Sequence, residues 1–162
     1  METIAVYWEP RIKTYGFQRL TDLAFVEFSY PVHEMESLGE VLSRDELQDV
    51  KTKFMIAQES DGDISFVFCL PHKEGKDFHE SLEKDLGPTT HRYIYPVAII
   101  FFYGPHFGDR YGIADATFST LSNADIEVIA SGCSSASVFL VLVQDDIDKA
   151  EKVLGEAFEV AK

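Results

Sequence analysis

VAIIFFYGPHFGDRYGIADATFSTL (residues 97–121), NADIEVIASGCSSASVFLVLV (123–143) and DDIDKAEKVLGEAFEVAK (145–162) decide the fold. In order they read as apolar strand, glycine-rich turn, helix, strand, strand and helix. Val97–Phe102 and Val138–Val143 are apolar at nearly every position, the pattern of strands covered on both faces. The unit's own helices cover one face. The sister unit or a second chain must cover the other. Ala114, Thr117, Phe118 and Leu121 are predicted to share one face of the first helix. Ile147, Ala150, Val153, Leu154, Ala157 and Phe158 recur with a period near 3.6 along the second. Asp145 or Asp146 suits its N-cap, where an acidic side chain favours the positive helix end.

Moving outward toward the N-terminus, the same order recurs more faintly. TIAVYW (3–8) alternates as a strand, and the polar connection after it holds a second short strand around Tyr15–Leu20. AFVEFSY supplies Phe25, Val26 and Phe28 as strand positions, and Pro31 ends it. Met35, Leu38, Val41 and Leu42 recur at helical spacing. Lys53–Gln58 and Ile64–Leu70 read as strands joined by Ser60-Asp61-Gly62-Asp63, strong hairpin chemistry. Phe78, Leu82 and Leu86 stripe a helix that Gly87-Pro88 stops, and His91–Tyr95 closes the unit. This is the ferredoxin-like split βαβ pattern.

The predicted protein is therefore α+β, with two tandem ferredoxin-like (βαββαβ) units over 23–95 and 96–162, preceded by a strand and connection over 1–22. The second unit ends on a helix and lacks its fourth strand. TIAVYW is expected to complete that sheet, which would insert the first unit within the second. The alternative is that TIAVYW extends the first unit's sheet.

Composition narrows function. The 162 residues are 46% hydrophobic, enough for a sizeable core, and the net charge of −14 argues against nucleic-acid backbones and anionic membranes as partners. Cys69 and Cys133 are too few and too far apart for a disulfide framework or a metal ribbon. Cys69 sits in the apolar run ISFVFCL as a core residue, and Cys133 in a Gly-Ser turn. METIAVYWEPRIK lacks a signal-peptide core and no apolar run approaches a membrane span, so a cytoplasmic location is expected. His33, His72, His79, His91 and His106 show no metal-site spacing, although His106 lies in the glycine turn. No acid–base or nucleophile cluster is legible, so neither an enzyme nor a cofactor is expected.

Gly104-Pro105-His106-Phe107-Gly108-Asp109-Arg110-Tyr111-Gly112 joins the apolar strand to the helix beginning near Ile113. Glycines permit close approach of a ligand, and the first-turn N–H groups of a helix favour an anion such as a carboxylate. The spacing is neither G-x-G-x-x-G nor a phosphate loop, so a compact anion fits better than a nucleotide. On glycine spacing alone an ordinary tight turn fits better.

Gly112-Ile113-Ala114 with Phe118 and Leu121, then Asn123-Ala124-Asp125-Ile126-Glu127-Val128-Ile129, then Ser131-Gly132-Cys133-Ser134-Ser135 resemble the ACT domains of aspartokinase regulatory regions. Met55-Ile56-Ala57-Gln58 and Ile64-Ser65-Phe66-Val67 resemble the partner strands of the first unit in that family. The resemblance spans most of residues 24–86 and 97–160, and no kinase sequence accompanies it.

What the resemblance implies is a homodimeric sensor of a small amino acid, read by a partner protein. Its effector would lie against the loop before the first helix of one unit and the second strand of another, across a dimer contact. Carried over, the loop side is Gly108, Asp109, Arg110, Gly112, Ile113 and Ala114, and the strand side is Ile126, Glu127, Val128 and Ile129. Backbone N–H groups near Gly112 would take the carboxylate, and Asp109 or Glu127 the ammonium. Met55, Gln58 and Ser65 are the matching first-unit positions. That unit's loop, Tyr30 to Met35, has no glycine before its helix. The rival reading is a dimerisation or protein-interaction module without a ligand.

Overall fold

The computed structural model describes residues 11–44, 50–86, 91–105, 107–134 and 136–160. Its strands are β1 (Lys13–Thr14), β2 (Phe17–Pro31), β3 (Phe54–Ser60), β4 (Asp63–Pro71), β5 (His91–Tyr103), β6 (Ala130–Cys133), β7 (Ser137–Val143) and β8 (Glu159–Val160). Its helices are α1 (Met35–Leu42), α2 (His72–Leu86), α3 (Ile113–Asn123) and α4 (Ile147–Ala157). Asp22–Val97 forms one compact unit, and Ala98–Lys162 with the described residues up to Thr21 forms the other. The division falls within β2 and within β5, so each of these strands serves both units. Where the sequence suggests two short strands, each is one long strand. β2 carries Asp22 at φ +60°, and β5 carries a cis Tyr95–Pro96 bond. A left-handed residue and a proline both read as strand ends, yet a sheet tolerates them at a bulge or where no ladder N–H is needed.

The first unit orders its strands β3-β4-β2-β5. β2 and β4 pair antiparallel from Leu23 opposite Pro71 to Pro31 opposite Asp63, and β3 pairs antiparallel with β4. Tyr95 donates its hydroxyl to Asp22 Oδ1 at 2.7 Å, and Arg92 lies 3.8 Å from Glu27, so β5 runs antiparallel to β2. Asp61 (φ +54°) and Gly62 (φ +88°) form the β3–β4 turn, as the Asp-Gly pair requires. Alternate residues Val26, Phe28 and Tyr30 of β2 and Phe66, Phe68 and Leu70 of β4 meet Leu38 of α1 and Phe78 and Leu82 of α2. TIAVYW and Gly87-Pro88 lie outside the described residues.

The second unit orders its strands β2-β5-β7-β6. Phe17 packs on Phe102 with ring centroids 5.1 Å apart, so Phe17–Thr21 is the stretch beside the end of β5. The core joins Ala98, Ile100 and Phe102 of β5, Val138, Leu140 and Leu142 of β7, and Ile147, Ala150 and Leu154 of α4. On the other face of these strands Ile99 and Val141 are also buried, within the single chain. Helix α3 turns Ile113, Thr117 and Leu121 inward and leaves Ala114 and Phe118 exposed. The predicted face is thus displaced by one position at 114 and 118. Two neighbouring helical stripes are equally apolar here, and only packing selects between them. Asp146 does occupy the N-cap of α4, but neither it nor Asp145 makes the expected side-chain cap there. A 3-10 turn, Gln144–Asp146, leads into the helix instead.

A strap over the second unit escaped the sequence reading. β1 pairs in parallel with β8, Glu159 N–H donates to the Ile12 carbonyl at 2.9 Å, and Tyr15 N–H donates to the Tyr103 carbonyl at 2.9 Å. Thr14 is fully buried and its hydroxyl donates to the same Tyr103 carbonyl at 2.9 Å. Nothing in a two-residue strand has a period to read.

Cys69 is fully buried and Cys133 exposed, both reduced. Burial pushes the Cys69 thiol from 9.0 up to about 12, because a thiolate there would lack solvation. The unfolded chain ionises this thiol first, so the stability linked to it is intact below pH 9 and is lost as pH rises from about 9 toward 12. Titration with a thiol reagent should find one reactive cysteine in the native protein and two after denaturation. Two fast thiols in the native state would contradict the buried placement.

Candidate functional site

The loop between β5 and α3 is built around two buried anchors. Phe107 starts a 3-10 turn, Phe107–Asp109, and meets Phe102 edge-on at 6.0 Å. Ile113, the first residue of α3, is buried in the same core. Between these anchors Gly108, Asp109, Tyr111 and Gly112 face solvent. Gly112 is the N-cap at φ +88°, a conformation that favours glycine, and it offers no side-chain cap. Its carbonyl accepts the first helical hydrogen bond, from Ala116 N–H at 2.9 Å. Arg110 Nη1 donates to the Arg11 carbonyl at 3.1 Å, which ties the loop to the strap. Ala114 is exposed on the first turn, and Asp115 lies in that turn as well. His106 lies outside the described residues.

The strand side differs from its prediction. Ile126–Ile129 is not strand, and β6 begins only at Ala130. The reason is the end of α3. Asp125 adopts a left-handed conformation (φ +51°), Asp125 N–H donates to the Ser122 carbonyl, and Ile126 N–H donates to the Leu121 carbonyl, both at 3.0 Å. These two bonds form a Schellman motif, and its accompanying apolar contact draws Ile126 into the core beside Leu121. The apolar residues read as a strand therefore cap a helix. Ser131–Cys133 correspondingly lies in β6 rather than in the serine turn, which starts at Ser134.

Glu127 and Val128 nevertheless border a pocket of about 450 Å³, lined also by Phe118, Leu121, Ser122, Asp125 and Ile126. Its floor is apolar and its rim carries two carboxylates, a lining suited to a small ligand with a cationic group. Gly108–Ala114 does not line it. The two sides of the predicted site sit at opposite ends of α3, an 11-residue helix about 16 Å long. Within one unit they do not converge.

The first-unit residues divide as well. Gln58 and Ser65 are direct partners across β3 and β4 and so share a sheet face. Met55 is half-exposed opposite Phe68, on the face that carries the core. The sheet thus separates Met55 from the other two. Among the described residues no group of three His, Cys, Asp or Glu side chains could hold a metal ion. No helix among them is long and apolar enough to cross a membrane.

No protein-family model and no curated protein matches the chain. Solved structures do. The regulatory subunit of aspartate kinase from Thermus flavus superposes with a TM-score of 0.76 at 12% identity, over 90% of this chain and 99% of that one. The ligand-free regulatory subunit from Thermus thermophilus gives 0.74 at 12% identity, over 90% and 99%. Clostridium acetobutylicum aspartate kinase gives 0.73 at 19% identity, covering 94% of this chain but 37% of the kinase. The chain is thus an α+β protein with the fold of the aspartate kinase regulatory subunits.

Proposed function

We propose that this chain is a non-catalytic regulatory module that binds a small amino acid and acts as a homodimer in the cytoplasm. The observation that carries the reading is end-to-end coverage of the regulatory subunits at TM-scores of 0.74–0.76. The site residues support it. Helix α3 presents an uncapped glycine N-terminus at one end and an acid-rimmed apolar pocket at the other. In a dimer the loop side of one copy, Gly108 to Ala114, would face the pocket side of another, around Glu127. First-turn N–H groups would hold the carboxylate, and Glu127 or Asp109 the ammonium. Binding would favour one arrangement of the dimer, and a partner protein would read that shift.

The test is thermal unfolding against each of the twenty amino acids at millimolar concentration. A ligand at 100 times its Kd that binds only the folded state adds about 2.7 kcal/mol. For a chain of this size that raises the midpoint by roughly 5–10 °C. The rise should appear for one amino acid or a chemically related group and disappear in Asp109→Ala or Glu127→Ala, both exposed positions. No rise with any amino acid would favour the ligand-free dimerisation module.

A further inference from the structure

In the second unit Phe17 points into the core, against Phe102 and Phe158. Strand residues two apart share a face, so Arg19 and Thr21 point to that same side, toward α4. The sheet pattern calls for apolar side chains there. A guanidinium and a hydroxyl stand in their place, both exposed, and the layer ends in an open surface cavity of about 610 Å³. Its lining is Arg19, Thr21, Gln144, Asp145, Ile147 and Asp148, all within this unit. Ile147 is the buried member. The cavity shares no residue with the loop at 108–114 or the pocket at 125–128.

The charges are mixed rather than uniform. Arg19 Nη1 lies 2.5 Å from Asp148 Oδ1 and 3.6 Å from Glu151 Oε2. The side chains of Arg19 and Asp148 are 49% and 85% exposed, so this pair is weak and exchangeable. Asp145 lines the cavity outside those two contacts.

We propose that this cavity is a second ligand site, for a compact zwitterion bearing its ammonium and carboxylate on one carbon. The Arg19 fork would turn from Asp148 to the ligand carboxylate, assisted by the Thr21 hydroxyl and the Gln144 amide. Asp148, released from Arg19, and Asp145 would hold the ammonium. The Arg19–Asp148 pair is exchanged for two pairs to the ligand, and Glu151 stays beside the guanidinium. A simple anion meets Asp145 and Asp148, and a simple cation gains only Asp145 while Arg19 stays on Asp148, so each binds less well than the zwitterion. This site is independent of the one proposed above.

Backbone amide chemical shifts of the full chain titrated with glycine test the proposal, with acetate and methylammonium as single-charge controls. Saturable shifts are expected at Thr21 and Gln144–Asp148 with glycine and not with either control. Arg19→Gln and Asp145→Asn should each weaken binding about 2- to 5-fold, the range for exposed ion pairs. Asp145→Asn keeps both Arg19 ion pairs and guards against a loss that is merely structural. Absence of saturable shifts at these amides overturns the proposal, whatever happens at residues 108–128. So does an unchanged glycine Kd in Asp145→Asn.

Discussion

Phe102→Ala is expected to cost about 3–5 kcal/mol of folding stability, the value for emptying a buried aromatic site. Phe102 is fully buried, with ring centroids 5.1 Å from Phe17, 5.1 Å from Phe158 and 6.0 Å from Phe107. Those three rings come from the start of β2, the end of α4 and the glycine-rich loop. Removing the central ring leaves a cavity that three separate segments cannot close together. The midpoint should fall by at least about 6 °C at 2–4 °C per kcal/mol. Phe101→Ala is the internal control, because that ring is half-buried on the opposite face, stacked on Phe139 at 5.4 Å. It should cost no more than about 2 kcal/mol. Urea unfolding of the two variants decides it, and equal losses would contradict the alternation assigned to β5.

Gly104→Ala is expected to destabilise by about 1–3 kcal/mol, although only one methyl group is added. That methyl carbon would lie 2.2 Å from the Lys13 carbonyl oxygen and 2.5 Å from Phe107 Cε1. Either the strap lifts or the buried Phe107 ring moves. The strap is the cheaper to displace, since it is held by few hydrogen bonds while Phe107 is locked in the core. Amide exchange should therefore accelerate at Tyr15 and Glu159, whose N–H groups donate to Tyr103 and Ile12. Arg110 would lose its anchor at the Arg11 carbonyl, and the loop proposed to hold a carboxylate would loosen with it. Gly155→Ala is the contrasting change, because its added carbon meets open space on the exposed face of α4. It should stabilise by about 0.5–1 kcal/mol. A stable Gly104→Ala variant with unchanged exchange at Tyr15 would show that the strap does not approach this closely.

Much of the architecture was legible because its signals are local. Val26, Phe28, Phe66, Phe68 and Leu70 alternate with period two, and Ile147, Ala150 and Leu154 recur near 3.6. Each stripe becomes a buried face, on strands and a helix expected at these places. Asp61-Gly62 needs left-handed backbone, and the β3–β4 turn supplies it. Gly112 marks the start of α3 for the same reason.

The candidate site was less legible. Glu127 does border a pocket, but Ile126 was read as strand and is a helix cap, because an apolar residue satisfies either role equally. The resemblance groups Met55 with Gln58 and Ser65, but pairing puts it on the other face, which only the register reveals. Arg19 falls in the short strand expected around Tyr15–Leu20, and a strand does form there. Its meaning appears only when Phe17 fixes which way the strand faces.

The sequence by itself determined the α+β class, the doubled ferredoxin-like pattern, most element types and the inward stripe of α4, since periodicity and turn chemistry act within a few residues. The tertiary structure alone decided that Phe17–Thr21 stands beside β5, that the strap closes on Tyr103 and Glu159, and that α3 turns Ile113 rather than Ala114 inward. It also opened a charged cavity beside Arg19. Each of these depends on contacts between residues tens of positions apart, where packing chooses among alternatives that local propensity leaves equal in energy.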